Sequence, residues 1–343
     1  MRYAFVASAA AKTVSIIDLH DKRWDETIEL EKTPADIEAS DRLDELVIAY
    51  PAEKQLGLID LSSYRLKQTY YDLQITPGDI KLDPVGDVIA VYDRGLRVLE
   101  LHNLDSRGLL IKIENVSTRA PLTFNRDGKS IFWVDNDSGE LRGSDLDGRQ
   151  VSVKLTDNGS GLSAMTRSVD GSLGFVSDAQ AAVVYVVNLR RMSLMREVPV
   201  GKGPRRAWGT ADGQAMLIPN YDSGTMTGIS TFTLDPMYTI DTIDKPVAVN
   251  SGWLDTTAAV FGEAGDVALI NLDSKKIIKT MKLHGRPQAG VVTSNSKFLA
   301  LPVAGNGDLF IFDMKSLLVE ERIIGLPKNL GEASLAISNN LCH

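Results

Sequence analysis

Residues able to carry acid–base, metal or redox chemistry are few in this chain of 343: four histidines, His20, His102, His284 and His343, and one cysteine, Cys342. A zinc site needs three or four nitrogen, thiolate or carboxylate ligands that converge. His20 and His102 each follow a short apolar run and are expected in turns on one side of the molecule, out of reach of His284. No metal site is expected. His284 is the best-placed candidate for a general base or an axial ligand. Cys342-His343 ends like a haem-attachment motif, but Asn339 stands where the first cysteine belongs, so the pair is read as an ordinary terminus.

The run Asp135-Asn136-Asp137-Ser138-Gly139-Glu140 begins like a calcium loop. Its glycine is displaced and the closing glutamate is at the wrong distance, so a polar turn is expected. There is no nucleophile elbow, no phosphate-binding glycine loop before a helix and no cysteine–histidine pair positioned for catalysis. No catalytic residue is assigned. A lone cysteine forms no intramolecular disulfide and says nothing of the compartment. Residues 1–11 offer only Arg2 as a basic flank to a very short apolar stretch, unlike a signal peptide. The expectation is a mature periplasmic chain without its leader, with a cytoplasmic chain as the alternative.

The formal charge of −8 repels a phosphate backbone, so a nucleic-acid partner is not expected, and no stretch reads as a membrane span. Against that acidic background one set of loops is basic: Lys32, Arg119, Lys202, Arg205, Arg206, Lys245, His284, Arg286 and Lys328, set among Asp36, Asp79, Asp157 and Asp244. The density is greatest from Lys202 to Arg206. Convergent cations in a funnel of low dielectric concentrate anions and steer acidic partners, and arginine grips a carboxylate with two parallel bonds. If these loops rim a common opening, the opening is expected to bind an anionic small molecule or an acidic protein surface.

The elements that would bring the loops together are repeats. An apolar, β-branched and aromatic hexamer starts at Tyr3, Glu45, Asp87, Ser130, Leu173, Gln214, Thr257 and Lys297, at intervals of about 42 residues, the period of a propeller blade. A second hexamer follows each, ending at Leu19, Leu61, Leu101, Leu146, Leu189, Leu234, Leu272 and Met314. Tight turns at Asp127-Gly128, Asp170-Gly171 and Asp212-Gly213 suit left-handed hairpin geometry. Outer strands are expected at residues 27–30, 198–200 and 279–283. These features predict an all-β chain, an eight-bladed β-propeller of four-stranded antiparallel blades in one domain over 1–343, with seven blades as the alternative. The run 333–338 is expected to supply the inner strand of the blade that begins at Tyr3, closing the ring and removing open edges.

Tyr3-Ala4-Phe5-Val6-Ala7-Ser8, Thr13-Val14-Ser15-Ile16-Ile17-Asp18-Leu19 and Val198-Pro199-Val200-Gly201-Lys202-Gly203-Pro204 resemble the YVTN family of β-propeller repeats. That resemblance spans nearly the whole chain and is specific for fold. It implies kinship with surface-layer and quinohaemoprotein-associated propellers and with the eight-bladed d-type-haem domain of dissimilatory nitrite reductase. The haem-binding members carry a histidine on an inner strand; here Pro34-Ala35-Asp36-Ile37 and Pro77-Gly78-Asp79-Ile80 stand there instead. Nor does the chain have the Gly-His and Trp-Asp pairs of tryptophan-aspartate repeats. The leading expectation is a non-catalytic interaction subunit of a bacterial haem or quinone redox system, with protein partners and no cofactor of its own. The alternatives are a carrier of haem or another carboxylated tetrapyrrole, and a dehydrogenase or lactonase of the superfamily.

Overall fold

The computed structural model describes residues 3–40, 42–61, 69–287, 290–293, 296–304, 308–316, 318–323 and 335–337. Its strands form eight antiparallel sheets arranged as the blades of a propeller. Blade 2 shows the pattern: Asp36–Ser40 innermost, then Glu45–Tyr50, Gln55–Asp60 and Thr69–Asp72 outermost. Blades 3 to 7 repeat it in chain order, and blade 8 splits its inner strand into Arg286–Pro287 and Val291–Val292. Blade 1 joins both ends of the chain: Leu335–Ile337 lies antiparallel to Tyr3–Ser8, with Phe5 opposite Ala336. The expected closure is present. No helix among the described residues is long and apolar enough to cross a membrane.

The middle strands are buried on both faces, so they read as continuous apolar runs rather than alternating ones. Tyr3–Ser8, Glu45–Tyr50 and Leu173–Asp178 are buried at every position but the first. Their side chains form cores between successive blades, such as Phe5, Ile16 and Ile28 of blade 1 against Ile37, Leu46 and Ile48 of blade 2. The acidic residue that ends many of these strands is structural. Asp18, Asp93, Asp135 and Asp178 are almost fully buried, and each accepts amide protons from the turn that follows, as Asp178 Oδ1 does from Gln180 and Ala181.

Three expectations are corrected. The outer strands are longer than expected, at Arg23–Glu29, Ser193–Pro199 and Lys276–Lys282. At the Asp-Gly turns only glycine is left-handed, with φ of 71° at Gly128, 76° at Gly171 and 71° at Gly213. Gly128 N–H donates to Asn125 O, so the loop is a right-handed turn followed by a left-handed glycine. Finally, His102 is not in a turn. It lies inside the strand Val98–Asn103 and is 4% exposed. The run Val98-Leu99-Glu100-Leu101-His102-Asn103-Leu104 offers two leucines as its end, and the fold makes Leu104, not Leu101, the counterpart of Leu19 and Leu61.

Candidate functional site

Loops leaving each outer strand and loops joining the second and third strands share one face, here called the mouth face. At blade 6 these two loops are tied together. Tyr221 N–H donates to Gly203 O at 2.9 Å, Asp222 N–H to Lys202 O at 3.1 Å, and Lys202 N–H to Ser223 Oγ at 2.6 Å. Gly203 adopts φ of 64°, and a Cβ there would also meet the Asp222 carboxylate. This double loop holds Arg205 with its guanidinium carbon 4.2 Å from the centroid of the Tyr221 ring. Lys245 approaches the same ring at 5.9 Å.

Tyr221 Oη donates to Glu263 Oε2 at 2.5 Å, linking blade 6 to blade 7. The Glu263 carboxyl is held below the ordinary carboxylate range, first by this hydrogen bond and then by the charges of Lys245, Arg286 and Arg205. Glu263 in turn pushes the Tyr221 phenol up. Arg205, Lys245 and Arg286 therefore form one sector of like charge that carries its own carboxylate.

Below this rim the inner strands line the channel with alternate residues. Arg205 N–H bonds Pro219 O as Ala35 N–H bonds Ala49 O and Gly78 N–H bonds Tyr92 O. Arg206 thus occupies the register position of Asp36 and Asp79. Blades 2 and 6 stand opposite each other in a ring of eight, so this layer is acidic on one side and basic on the other.

The acids of the layers are answered. Asp36 accepts from Ile37 N–H and from Ile80 N–H of the next blade, Asp79 holds Arg94 through two bonds at 2.7 and 3.0 Å, and Glu38 pairs with Lys81 at 2.7 Å. Burial pushes the Glu38 carboxyl up even so, with Lys81 opposing. Arg206 donates from its Nε to Thr166 Oγ1 at 3.2 Å. Water reaches its side chain, but the surrounding protein pulls the guanidinium below its ordinary value through desolvation alone. Among the described residues no carboxylate pairs with it.

The expected basic set is thus only partly assembled. Arg205, Lys245 and Arg286 converge and Arg206 points at the same opening. Lys202 and His284 are exposed on the loops. Lys32 is committed elsewhere, its ammonium 3.2 Å from the Tyr70 ring centroid and bonded to Gln55 Oε1. Arg119 lies near Asp137, which Arg97 already holds at 2.6 Å. Lys328 lies outside the described residues, as do Cys342 and His343. Tyr221, Glu263 and Arg94 were missed because they sit in the second-to-third-strand loops, which share the mouth face but were not counted with the basic loops.

The opposite face has a separate recess of about 460 Å³ between blades 4 and 5, walled by Phe132 and Leu189 and rimmed by Arg149, Arg190 and Arg191. Phe232 and Leu254 are more than three-quarters exposed on that face. Among the described residues no group of three or more histidine, cysteine or acidic side chains is placed to hold a metal ion.

No family profile matches the chain, and no curated protein sequence matches it. Solved structures match it in shape. The dihydro-haem d1 dehydrogenase NirN, in complex with DHE, superposes with a TM-score of 0.75 at 17% identity, over 94% of this chain and 73% of NirN. Apo AztD from Citrobacter koseri gives 0.68 at 15% identity over 97% and 96%. Hydrazine synthase of Kuenenia stuttgartiensis gives 0.61 at 17% over 80% and 93%. At these identities the likeness is one of fold.

Proposed function

We propose that this chain is a YVTN-type propeller acting as a non-catalytic interaction subunit or accessory of a bacterial haem or quinone redox system in the periplasm. In this reading the blade 6–7 sector of the mouth receives an anionic ligand or an acidic partner. The observation that carries it is Arg206: an exposed cation at the entry of the blade 6 inner strand with a threonine hydroxyl as its hydrogen-bond partner, no carboxylate paired with it among the described residues, and Arg205, Lys245 and Arg286 clustered on the same face. A carboxylate entering the mouth would complete it. Such a bond is charge-assisted and, when bidentate, directional. Exposed Phe232 and Leu254 on the opposite face favour a second contact with protein.

A tetrapyrrole carrier is the second reading. It is supported by the layered arrangement of Arg206 beneath Arg205 and Lys245, which suits a ligand with several carboxylates, and by the likeness in fold to NirN in complex with DHE. A dehydrogenase or lactonase is a weaker third reading, because no histidine stands among the inner-strand residues described. Calorimetric titration with citrate and optical titration with haem separate these readings. Arg205→Ala/Arg206→Ala should abolish whichever binding occurs. Binding that is unchanged in that variant overturns the assignment of the mouth, and haem taken up where citrate is not favours the tetrapyrrole.

A further inference from the structure

The interface between blades 2 and 3 departs from the pattern of the others. The fifth residue of the third strand is Ile17, Ile59, Ser144, Val187, Ile229, Ile270 or Phe312 in seven blades, and His102 in blade 3. The outer-strand residue paired with the second position of that strand is Ile28, Ile113, Val153, Val198, Ile240, Met281 or Ile323 elsewhere, and Tyr71 in blade 2. Glu100 takes the third position in blade 3, which varies from blade to blade and is Ala268 in blade 7.

These three residues meet. Tyr71 Oη lies 2.6 Å from His102 Nδ1, and His102 Nε2 lies 3.0 Å from Glu100 Oε2. A carboxylate can only accept, so Nε2 carries the hydrogen and Nδ1 of the neutral ring accepts from the phenol. Burial holds the imidazole below its ordinary value, with Glu100 opposing. Glu100 and His102 are 3% and 4% exposed, whereas Tyr71 is half-buried at the blade margin.

The recess beside the phenol measures about 10 Å³ and is lined by Leu56, Leu58, Leu104 and Arg107. That is room for about one water, so no substrate for group transfer fits against Tyr71. Electron exchange needs no such room, because it requires only a ring edge near the surface and somewhere for the phenolic proton to go. Both are present.

We propose that Tyr71 is a one-electron redox site, with His102 as its proton acceptor and Glu100 as the positioning residue. On oxidation Tyr71 gives one electron to a high-potential metal oxidant, of the class of a ferryl haem, and its phenolic proton to His102 Nδ1. The products are a neutral tyrosyl radical and an imidazolium whose charge Glu100 balances through Nε2–H. On reduction one electron enters from a donor and the same proton returns to Oη. The site uses no residue of the channel mouth and stands whether or not the mouth binds an anion.

The test is to oxidise the full chain with hexachloroiridate(IV), freeze-quench it and record its electron paramagnetic resonance spectrum. A tyrosyl signal is expected that Tyr71→Phe loses. Glu100→Ala/His102→Ile copies Ala268 and Ile270 of blade 7, so it suits the fold, and it keeps Tyr71 while removing the proton acceptor. Its signal should fall to the Tyr71→Phe level while its circular dichroism stays that of the parent. Absence of a radical in the parent, a radical that survives Tyr71→Phe, or one undiminished in the double variant would each overturn the proposal.

Discussion

The Tyr71–His102–Glu100 chain should cost the fold stability, and the repeats supply the comparison that measures it. In His102→Ala, Glu100 loses its imidazole partner while 3% exposed, and the Tyr71 hydroxyl loses its acceptor. Leaving that buried carboxylate without its hydrogen-bond donor costs about 1–3 kcal/mol, and the cavity left by the imidazole adds about 2 kcal/mol. With about 2.1 cal/mol/K of unfolding entropy per residue, each kcal/mol moves the melting temperature of a chain this size by about 1–2 °C. The single variant should therefore melt about 4–8 °C below the parent. Tyr71→Ile/Glu100→Ala/His102→Ile copies the apolar set between blades 6 and 7, Ile240, Ala268 and Ile270. Replacing a buried polar cluster by apolar residues is neutral or stabilising by about 1–4 kcal/mol, less whatever cavity the smaller isoleucine leaves. The triple variant should melt at or above the parent. Differential scanning calorimetry of both variants decides it: a triple variant that melts as far below the parent as His102→Ala, or further, would refute the reasoning, because the polar chain would then be holding the blades together.

Protonation of His102 gives a pH dependence of definite sign. Its folded value is depressed from the ordinary 6.5, so below that pH the unfolded chain binds a proton that the folded chain refuses, and stability falls with falling pH. The melting temperature of Glu100→Ala/His102→Ile should decline less than the parent's from neutral pH downward. Asp83, 2% exposed, accepts amide protons from Val85, Gly86, Asp87 and Val88; Asp83→Ala should cost about 3 kcal/mol in urea unfolding, since buried donors left unpaired pay their desolvation. At Gly143 an added Cβ would stand 2.7 Å from the buried Phe132 ring, so Gly143→Ala should lower stability by about 1–3 kcal/mol through overpacking, again read from urea unfolding.

The ring was legible in the sequence because a blade is specified locally. Each middle strand is buried on both faces, so its apolar run survives at every repeat, and the turns carry the glycines they need. Strand ends were less legible: outer strands such as Ser193–Pro199 are largely exposed and alternate too weakly to mark their own starts. The site was legible only as a basic tendency. Loop order shows which residues share a face, but not that Lys32 folds over Tyr70 while Arg205 stacks on Tyr221. Those outcomes depend on how the loop entering a blade packs against that blade's own loops and strands, which loop order does not specify.

Repetition also supplies a way to separate structure from function without relatives. Eight units solve the same packing problem, so a residue type shared among blades needs no explanation beyond the blade. The terminal aspartates of the middle strands fall in that class: Asp18, Asp93, Asp135 and Asp178 all cap turns with the same bonds. A residue that replaces the shared type and is answered by a matching replacement in the next blade does need one. His102 and Glu100 in blade 3 meet Tyr71 in blade 2, and Arg205 of blade 6 meets the Tyr221–Glu263 bridge into blade 7. The first pairing is buried and closed to substrate; the second is open and charged. The two proposed sites, a redox side chain at the margin and an anion site at the mouth, are compatible in one propeller because neither draws on the residues that close the ring.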